Sequence, residues 1–547
     1  MRNPAAYDPI RYCRPVLLAI LICAAFLSKC LASNMSDDLF ERYDIVTGNA
    51  KRQTMLTGFF LDSAVAELAV VYIDENDDRR MQMHGLEGGV WSLVLDTRLR
   101  SEVLFVDVAN IGGRGRLITY QNGRLDWFEP ESTTARPLAA VTSSFNPPRK
   151  DEIPHVDITL DVNHDGRDDL VVPDVDGFWV FIQMSDGTFA DPVQIGPPAE
   201  LAGIYGADGY RYDPWSQSRV FEADFNRDGR RDLVFWNAHR FQVHLQDERG
   251  LFSNAARTFT TDVTFDSDDP YSLATGEMTG KVLHSLLDLD GDGVPDLVVF
   301  KLEGRRLSRK RSTYEVHRGG PTPDGGTMFA QNVDIAFPSD GVQLGMDRHD
   351  FDRDGQVDLM ITSIEVKYLK SSLWKRLKAF MGDDIWLDLE FFSMQEGEIR
   401  DKPNATRRIQ LHDTGSIREP GWVPLDVALR GGLHESRNAL GHRGCIPADE
   451  RCSPHQGTFN APLLVGDVTG DGRSDLLIGT TPEWLSVFTG VPGQGVFAQQ
   501  SRSVGVALPK DREYVWLVDL NEDGKQDILL HHPSISEPHR LTILMAR

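Results

Sequence analysis

Cysteine is scarce in this chain: five among 547 residues, and three of them (Cys13, Cys23 and Cys30) fall within the first 30 positions. So few exclude a disulfide-stapled scaffold. Basic residues are also in deficit. Fifty-seven Lys and Arg against 82 Asp and Glu leave a net charge of −25, an excess that repels phosphate and argues against nucleic acid as a partner. Long hydrophobic runs are missing too. The stretch VLLAILICAAFL at 16–27 is too short to span a bilayer comfortably. It follows Arg2, Arg11 and Arg14 and precedes the small residues of CLAS, the order of a cleavable export signal over residues 1–32. An uncleaved anchor is one alternative. A lipid-anchored Cys30 is another, which the adjacent Lys29 fits poorly.

Cleavage after Ala32 removes four basic residues and one acidic one, leaving a net charge of −28 and two cysteines, Cys445 and Cys452. In an exported chain these read as a local disulfide closing a loop. A metal pair is the alternative. Export would place the protein in the periplasm, on the cell surface or outside the cell. Catalytic motifs are absent as well: no HExxH, GxSxG or P-loop, and no cysteine that reads as a nucleophile with a plausible histidine partner. The fifteen histidines are scattered, and the His531–His532 pair reads as packing or rim rather than a metal site. No catalytic residue is assigned, although the many carboxylates leave an acid/base pair open.

What the chain does have is a repeated acidic loop. The stretch DLDGDGVPDLVVF at 288–300 alternates aspartates around a glycine, then enters an apolar, β-branched run. A helix–loop–helix calcium site needs a bidentate Glu at position 12, but here position 12 is Val299 and the last acid comes at position 9, as Asp296. The loop therefore leads into a strand. Five further copies begin at Asp161, Asp224, Asp350, Asp467 and Asp519, with successive starts 63, 64, 62, 117 and 52 residues apart. A period of this kind marks a repeat architecture. In each unit an apolar strand enters the loop, a second leaves it, a third follows a turn, and a weaker fourth often closes the unit. Four short strands per repeat, rich in β-branched and aromatic residues, predict an all-β propeller.

Two earlier units, from Thr57 and Glu102, share this grammar without the ligands. The first reads as having a shortened loop. The second keeps Asp107 but has Ala109 and Ile111 where oxygen ligands belong. Counting them gives eight blades; without them the ring has seven. The last unit stops one strand short, and LFERYDIVTG at 39–48 is a strand-like segment with no blade of its own. It is expected to supply the missing outer strand and close the ring, leaving no open sheet edge. The propeller would then span 39–547 as a single domain.

Calcium takes six to eight hard oxygens in a forgiving geometry, whereas magnesium demands a stricter octahedron and retains water. Side chains at positions 1, 3, 5 and 9 and the carbonyl at position 7 would supply the oxygens, with Gly at position 6 allowing the bend. The candidate ligands are Asp161, Asn163, Asp165, Arg167 and Asp169, then Asp224, Asn226, Asp228, Arg230 and Asp232. The third loop offers Asp288, Asp290, Asp292, Val294 and Asp296, and the fourth Asp350, Asp352, Asp354, Gln356 and Asp358. The last two offer Asp467, Thr469, Asp471, Arg473 and Asp475, and Asp519, Asn521, Asp523, Lys525 and Asp527. About six Ca²⁺ are expected, tightest at the loops from Asp288 and Asp350, which carry four carboxylates where the others carry three.

The six loops resemble the calcium loops of FG-GAP/VCBS repeats, as in the propeller of integrin α-subunits and many exported bacterial proteins. Thrombospondin-type calcium strings are similar but packed with cysteines that this chain lacks. The resemblance covers roughly 39–547 apart from an insertion before Asp467. It implies an adhesion or binding module for a protein or glycan, and a monomer is expected. A polysaccharide-acting lyase or hydrolase working at the propeller face is a second reading, and a structural envelope protein a third.

Within the insertion, 366–382 reads as an amphipathic helix with Leu369, Leu373, Leu377, Phe380 and Met381 on one face and five basic residues besides. It packs on its own blade or offers a surface to an anionic membrane or acidic partner. Residues 401–459 read as a long loop holding the cysteine pair. The basic run at 305–311 reads as a solvated connection or a polyanion contact.

Overall fold

The computed structural model of the chain describes residues 39–547, apart from 144–150, 198–204, 211–219, 267–278, 305–310, 352–357, 365–384, 412–462, 510–513 and 533–539 and the short gaps 49, 51, 175, 207–208, 324, 396–397, 401, 482 and 494–495. Its main sheets are eight antiparallel four-stranded meanders, the blades of a propeller. Blade 1 runs from Gln53–Gly58 to Val90–Arg98, blade 2 from Val103–Ile111 to Thr134–Ala140, blade 3 from Thr159–Leu160 to Val193–Ile195 and blade 4 from Val220–Ala223 to Arg257–Phe259. Blade 5 runs from Gly280–Leu287 to Ile335–Pro338, blade 6 from Val342–His349 to Ala405–Leu411 and blade 7 from Leu463–Gly466 to Arg502–Gly505. Both early units form full blades, so the ring has eight and not seven.

Blade 8 takes three strands from the end of the chain and its outermost from the beginning. Phe40–Ile45 lies antiparallel to Leu541–Ala546, with Phe40 opposite Ala546 and Ile45 opposite Leu541. The apolar ends of this strand explain its docking: Phe40 and Ile45 are buried while Glu41 and Arg42 face solvent. Apolar clusters run from blade to blade. Phe351 of blade 6, for instance, meets Phe391 of its own blade and Phe497 of blade 7 edge-on. Polar links join the blades as well, such as the Gly112 N–H of blade 2 donating to Gln183 Oε1 of blade 3 at 2.9 Å. Side chains of second and third strands fill these interfaces because they alternate faces along each strand and so line both sides of a blade.

First strands of successive blades approach one another, as between blades 1 and 2, 2 and 3, and 4 and 5, which places them at the hub. Since every blade repeats one meander, the turns joining first to second strands fall on one face of the ring. The turns joining third to fourth strands share that face.

Two connections differ from the sequence reading. Ala405–Leu411 is not the head of a long loop but the outer strand of blade 6, paired along its length with Ile385–Phe392. Blade 5 carries an added hairpin, Gly319–Pro321 with Thr327–Phe329, between its third and fourth strands. The proposed helix at 366–382, most of the 305–311 run, and Cys445 and Cys452 lie outside the described residues.

Candidate metal centres

Each acidic loop joins the first and second strands of a blade, and the six occupy blades 3 to 8. The strand register defines a loop's length. Leu160 pairs with Asp169 and Ala223 with Asp232, leaving eight residues between. Position 2 of every loop is apolar and buried: Val162, Phe225, Leu289, Phe351, Val468 and Leu520 plug the interior beneath the turn. Turning position 2 inward sends positions 1, 3 and 5 to the other side, where their oxygens gather.

Position 1 organises the turn. Asp161 accepts N–H groups from Asp165 at 3.0 Å and Gly166 at 2.8 Å, and Asp224 and Asp519 make the same pair of bonds in their loops. In the Asp288 and Asp467 loops one oxygen instead accepts from position 4, Gly291 at 2.8 Å and Gly470 at 2.6 Å. The reason lies in residue type. Position 4 is left-handed in all five of these loops, at φ 58° for His164 and Arg227 and 54° for Glu522, and at 74° for both Gly291 and Gly470. Glycine enters this region freely, whereas a residue with a Cβ pays a modest strain. Position 6 is left-handed glycine throughout the same five. The sequence reading found the glycine at position 6 and missed the constraint at position 4.

Asp288, Asp290 and Asp292 bring one carboxylate oxygen each to within 4.8 Å of one another, a spacing at which they could hold one metal ion. In the Asp161, Asp224 and Asp519 loops the amides of Asn163, Asn226 and Asn521 stand at position 3. Each donates to the position-5 carboxylate at 2.9–3.1 Å. Position-7 side chains fold back onto that same carboxylate: Arg167 onto Asp165, Arg230 onto Asp228 at 2.5 Å, and Arg473 onto Asp471 at 3.7 Å. These exposed pairs are solvent-screened, and a divalent ion would compete with them for the carboxylate. In the Asp350 loop, Asp352, Asp354 and Gln356 lie outside the described residues, while Asp350 and Asp358 flank them.

Position 9 is the most buried member. Asp169, Asp232 and Asp475 are fully buried, and Asp296, Asp358 and Asp527 nearly so. One oxygen accepts the N–H of position 2, from Val162, Phe225, Leu289, Phe351, Val468 and Leu520 in turn, at 3.0–3.2 Å. In five of the loops the other accepts an N–H from the end of the third strand or just beyond it. Gln183, Gln246, Gly319, Gly490 and Ala546 are the donors, at 2.7–2.9 Å. The carboxylate thus staples the loop to the third strand. Burial pushes the Asp169 carboxyl up to about 8, opposed by the Gln183 N–H and reinforced by Asp161 and Asp165. Burial likewise pushes Asp296 and Asp527 up to about 7 and Asp232 and Asp475 up to about 6. A cation held by positions 1, 3 and 5 would reverse this, since a bound ion's own charge dominates its site.

The two unliganded blades differ from each other. Blade 1 does not have a shortened loop. Gly58 pairs with Glu67, leaving the same eight residues as in blade 3. Phe60 is its buried position 2, and Glu67 at position 9 accepts the Phe60 N–H at 2.9 Å. Only the ligands are gone, replaced by Phe59, Leu61 and Ser63 at positions 1, 3 and 5. The apolar residue followed seven positions later by an acid was the available signal. Blade 2 has no loop at all. Ile111 pairs with Arg114 across Gly112 and Gly113, both left-handed, a two-residue hairpin turn. Ala109 and Ile111 are strand residues.

His531, one of the histidine pair, is buried. Its ring lies edge-on to Tyr514, and burial, Arg540 and His532 push it down to about 3. Of the packing or rim roles read from the sequence, burial fits packing.

Residues 224–299 match the model of the FG-GAP-like repeat, a segment running from the blade 4 loop through the blade 5 loop into the second strand of blade 5. With the eight-bladed ring around it, the chain has the form of an FG-GAP repeat propeller. No curated protein matches the sequence. Among solved structures, a lectin of Agrocybe aegerita that recognises non-reducing terminal N-acetylglucosamine is similar at 12% identity and a TM-score of 0.32, over 66% of this chain and 80% of that one. The Vibrio cholerae biofilm matrix protein Bap1 is similar at 11% identity and a TM-score of 0.35, over 93% of this chain and 91% of that one. The Photorhabdus luminescens Tc holotoxin pore is similar at 14% identity and a TM-score of 0.29, over 78% of this chain and 16% of that one. At such scores the propeller assignment rests on the strand order itself.

Proposed function

We propose that this FG-GAP-like propeller is an exported binding module, loaded with about six Ca²⁺, that holds a protein or glycan on its loop face. The observation that carries the reading is the recurrence of one acidic sequence motif between the first and second strands of six consecutive blades. Five fully described copies share the left-handed positions 4 and 6 and an acid at position 9. Repeated convergence of hard oxygens in a pliable turn suits calcium. In each loop positions 1, 3 and 5 and the position-7 carbonyl would be the ligands, with position 9 adding an oxygen through its remaining lone pairs.

Charge neutralisation would then prepare the face. Twenty loop carboxylates repel one another, and six divalent ions offset twelve of those charges. The same face carries exposed apolar side chains on its third-to-fourth-strand turns, Met184 of blade 3 and Met328 of the added hairpin of blade 5. That hairpin is anchored to a metal loop, since Thr327 Oγ1 donates to the Phe225 carbonyl at 3.2 Å. Binding residues commonly sit on loops held by a rigid scaffold.

The test is a retention screen. The mature chain is passed over envelope, plant and microbial polysaccharides and over purified envelope proteins, in calcium and then in EGTA. Retention in calcium that is lost in EGTA and in a Met328→Asp variant is the expected result. Absence of retention by folded, calcium-loaded protein across the panel would overturn the reading. Release of reducing ends or unsaturated products from a retained polymer would point to an enzyme instead.

A further inference from the structure

Blade 2 lacks a metal loop, yet its first strand carries a fully buried carboxylate, Asp107, on the side facing blade 3. We propose that Asp107, His155 and Asp157 form a site for one divalent transition-metal ion of the zinc class, between blades 2 and 3 near the hub.

The three residues each bring one ligand atom to within 4.8 Å of the others. Asp107 and Asp157 are 1% and 7% exposed, whereas the His155 side chain is 28% exposed, which leaves an entry path on its side. The backbone around them is held in place. His155 forms a parallel bridge with Val106, fixed by Val106 N–H to the Pro154 carbonyl and Val156 N–H to the Val106 carbonyl, both at 3.1 Å. Residues two apart on an extended chain point to the same side, so His155 and Asp157 project together.

Asp107 is oriented by groups outside the would-be coordination sphere. Its Oδ2 accepts the Ile158 N–H at 2.9 Å and the Thr159 hydroxyl at 2.6 Å, which turns Oδ1 towards His155. Oδ1 stands 2.8 Å from His155 Nε2. At the tetrahedral angle two ligand atoms on an ion with bonds of about 2.1 Å lie about 3.4 Å apart, so a bound zinc would ease this hydrogen-bonded pair slightly open. An ion would replace the shared proton there, leaving imidazole neutral, and its two charges would balance the two buried carboxylates.

Donor type sets the metal. One imidazole nitrogen and two carboxylate oxygens favour zinc over calcium, which takes oxygen alone. The site is therefore chemically distinct from the six loops.

The full mature chain is stripped with EDTA, returned to excess calcium so that the loops are filled, and titrated with Zn²⁺. Calorimetry and elemental mass spectrometry read the stoichiometry. The expected result is one zinc per chain in the presence of calcium. His155→Ala and the near-isosteric Asp157→Asn should each weaken it at least about tenfold, with calcium content unchanged. Thermal melts identify a variant that fails to fold, in which case the other decides. Absence of stoichiometric zinc in the wild type, or equal zinc affinity in both folded variants, would overturn the proposal.

Discussion

Asp296 and Asp292 belong to one loop and do different work. Asp296 is buried and accepts two backbone N–H groups, from Leu289 at 3.2 Å and Gly319 at 2.8 Å. Asp292 is exposed at the turn and accepts the Val294 N–H at 2.7 Å. Blade 1 separates the two roles, because Glu67 keeps the position-9 staple where no ligands remain. A buried N–H left without its acceptor costs about 1–3 kcal/mol, whereas water replaces a lost acceptor at an exposed turn. Asp292→Ala should therefore remove about one calcium per chain with little change in the EGTA-treated protein. Asp296→Asn should destabilise by roughly 2–3 kcal/mol both with and without calcium. Native mass spectrometry and urea titrations read the two effects; equal responses from both variants would contradict the division of labour.

The strand that closes the ring is six residues long, pairs along its whole length with Leu541–Ala546 and buries the side chains at its two ends. Ile45 packs among Leu529, Leu541 and Ile543 of blade 8 and Leu68 of blade 1, and Thr542 Oγ1 donates to Asp44 at 2.7 Å. A charge buried without a partner there costs several kcal/mol. Ile45→Asp is expected to lower stability by about 3 kcal/mol. Deleting 39–48 should do more, exposing the edge of Leu541–Ala546 to other chains. Light scattering after size exclusion should then show oligomers, and a deletion variant that remains monomeric and melts like the wild type would exclude closure by this strand.

Ring closure couples the loops to the stability of the whole. Plugs at position 2 sit in the apolar interior: Leu520 of blade 8 lies in one cluster with Ala66 and Leu68 of blade 1. Chelation is therefore expected to lower the melting temperature of the entire propeller in one transition. The pH dependence has a defined sign. Five position-9 carboxyls, those of Asp169, Asp232, Asp296, Asp475 and Asp527, are raised from 3.8 to about 6–8 in the folded chain without metal. Their protonated forms stabilise the fold fully below about pH 4, and that contribution is lost as pH climbs through 6 to 8. In EGTA the melt should fall between pH 5 and 8, and calcium should remove the slope by favouring the ionised forms. A melt in EGTA that rises over this range would refute the burial-driven shifts.

Sequence alone determined the repeat, the four-strand unit, the six acidic loops and the origin of the closing strand. Those are local or periodic properties, readable from the alternation of apolar residues and the spacing of aspartates. Three features needed the tertiary structure. Blade 1's full-length loop is masked in sequence because Phe59 and Leu61 stand where the ligands would be; the Phe60–Glu67 spacing hints at it, and the pairing of Gly58 with Glu67 fixes its length. The outer strand of blade 6, Ala405–Leu411, is polar and alternates weakly, so pairing with Ile385–Phe392 decided its state. Asp107 and His155 are 48 residues apart and meet only because neighbouring blades bring their first strands together at the hub. Contacts between blades depend on the angle at which sheets stack, and no single repeat encodes it.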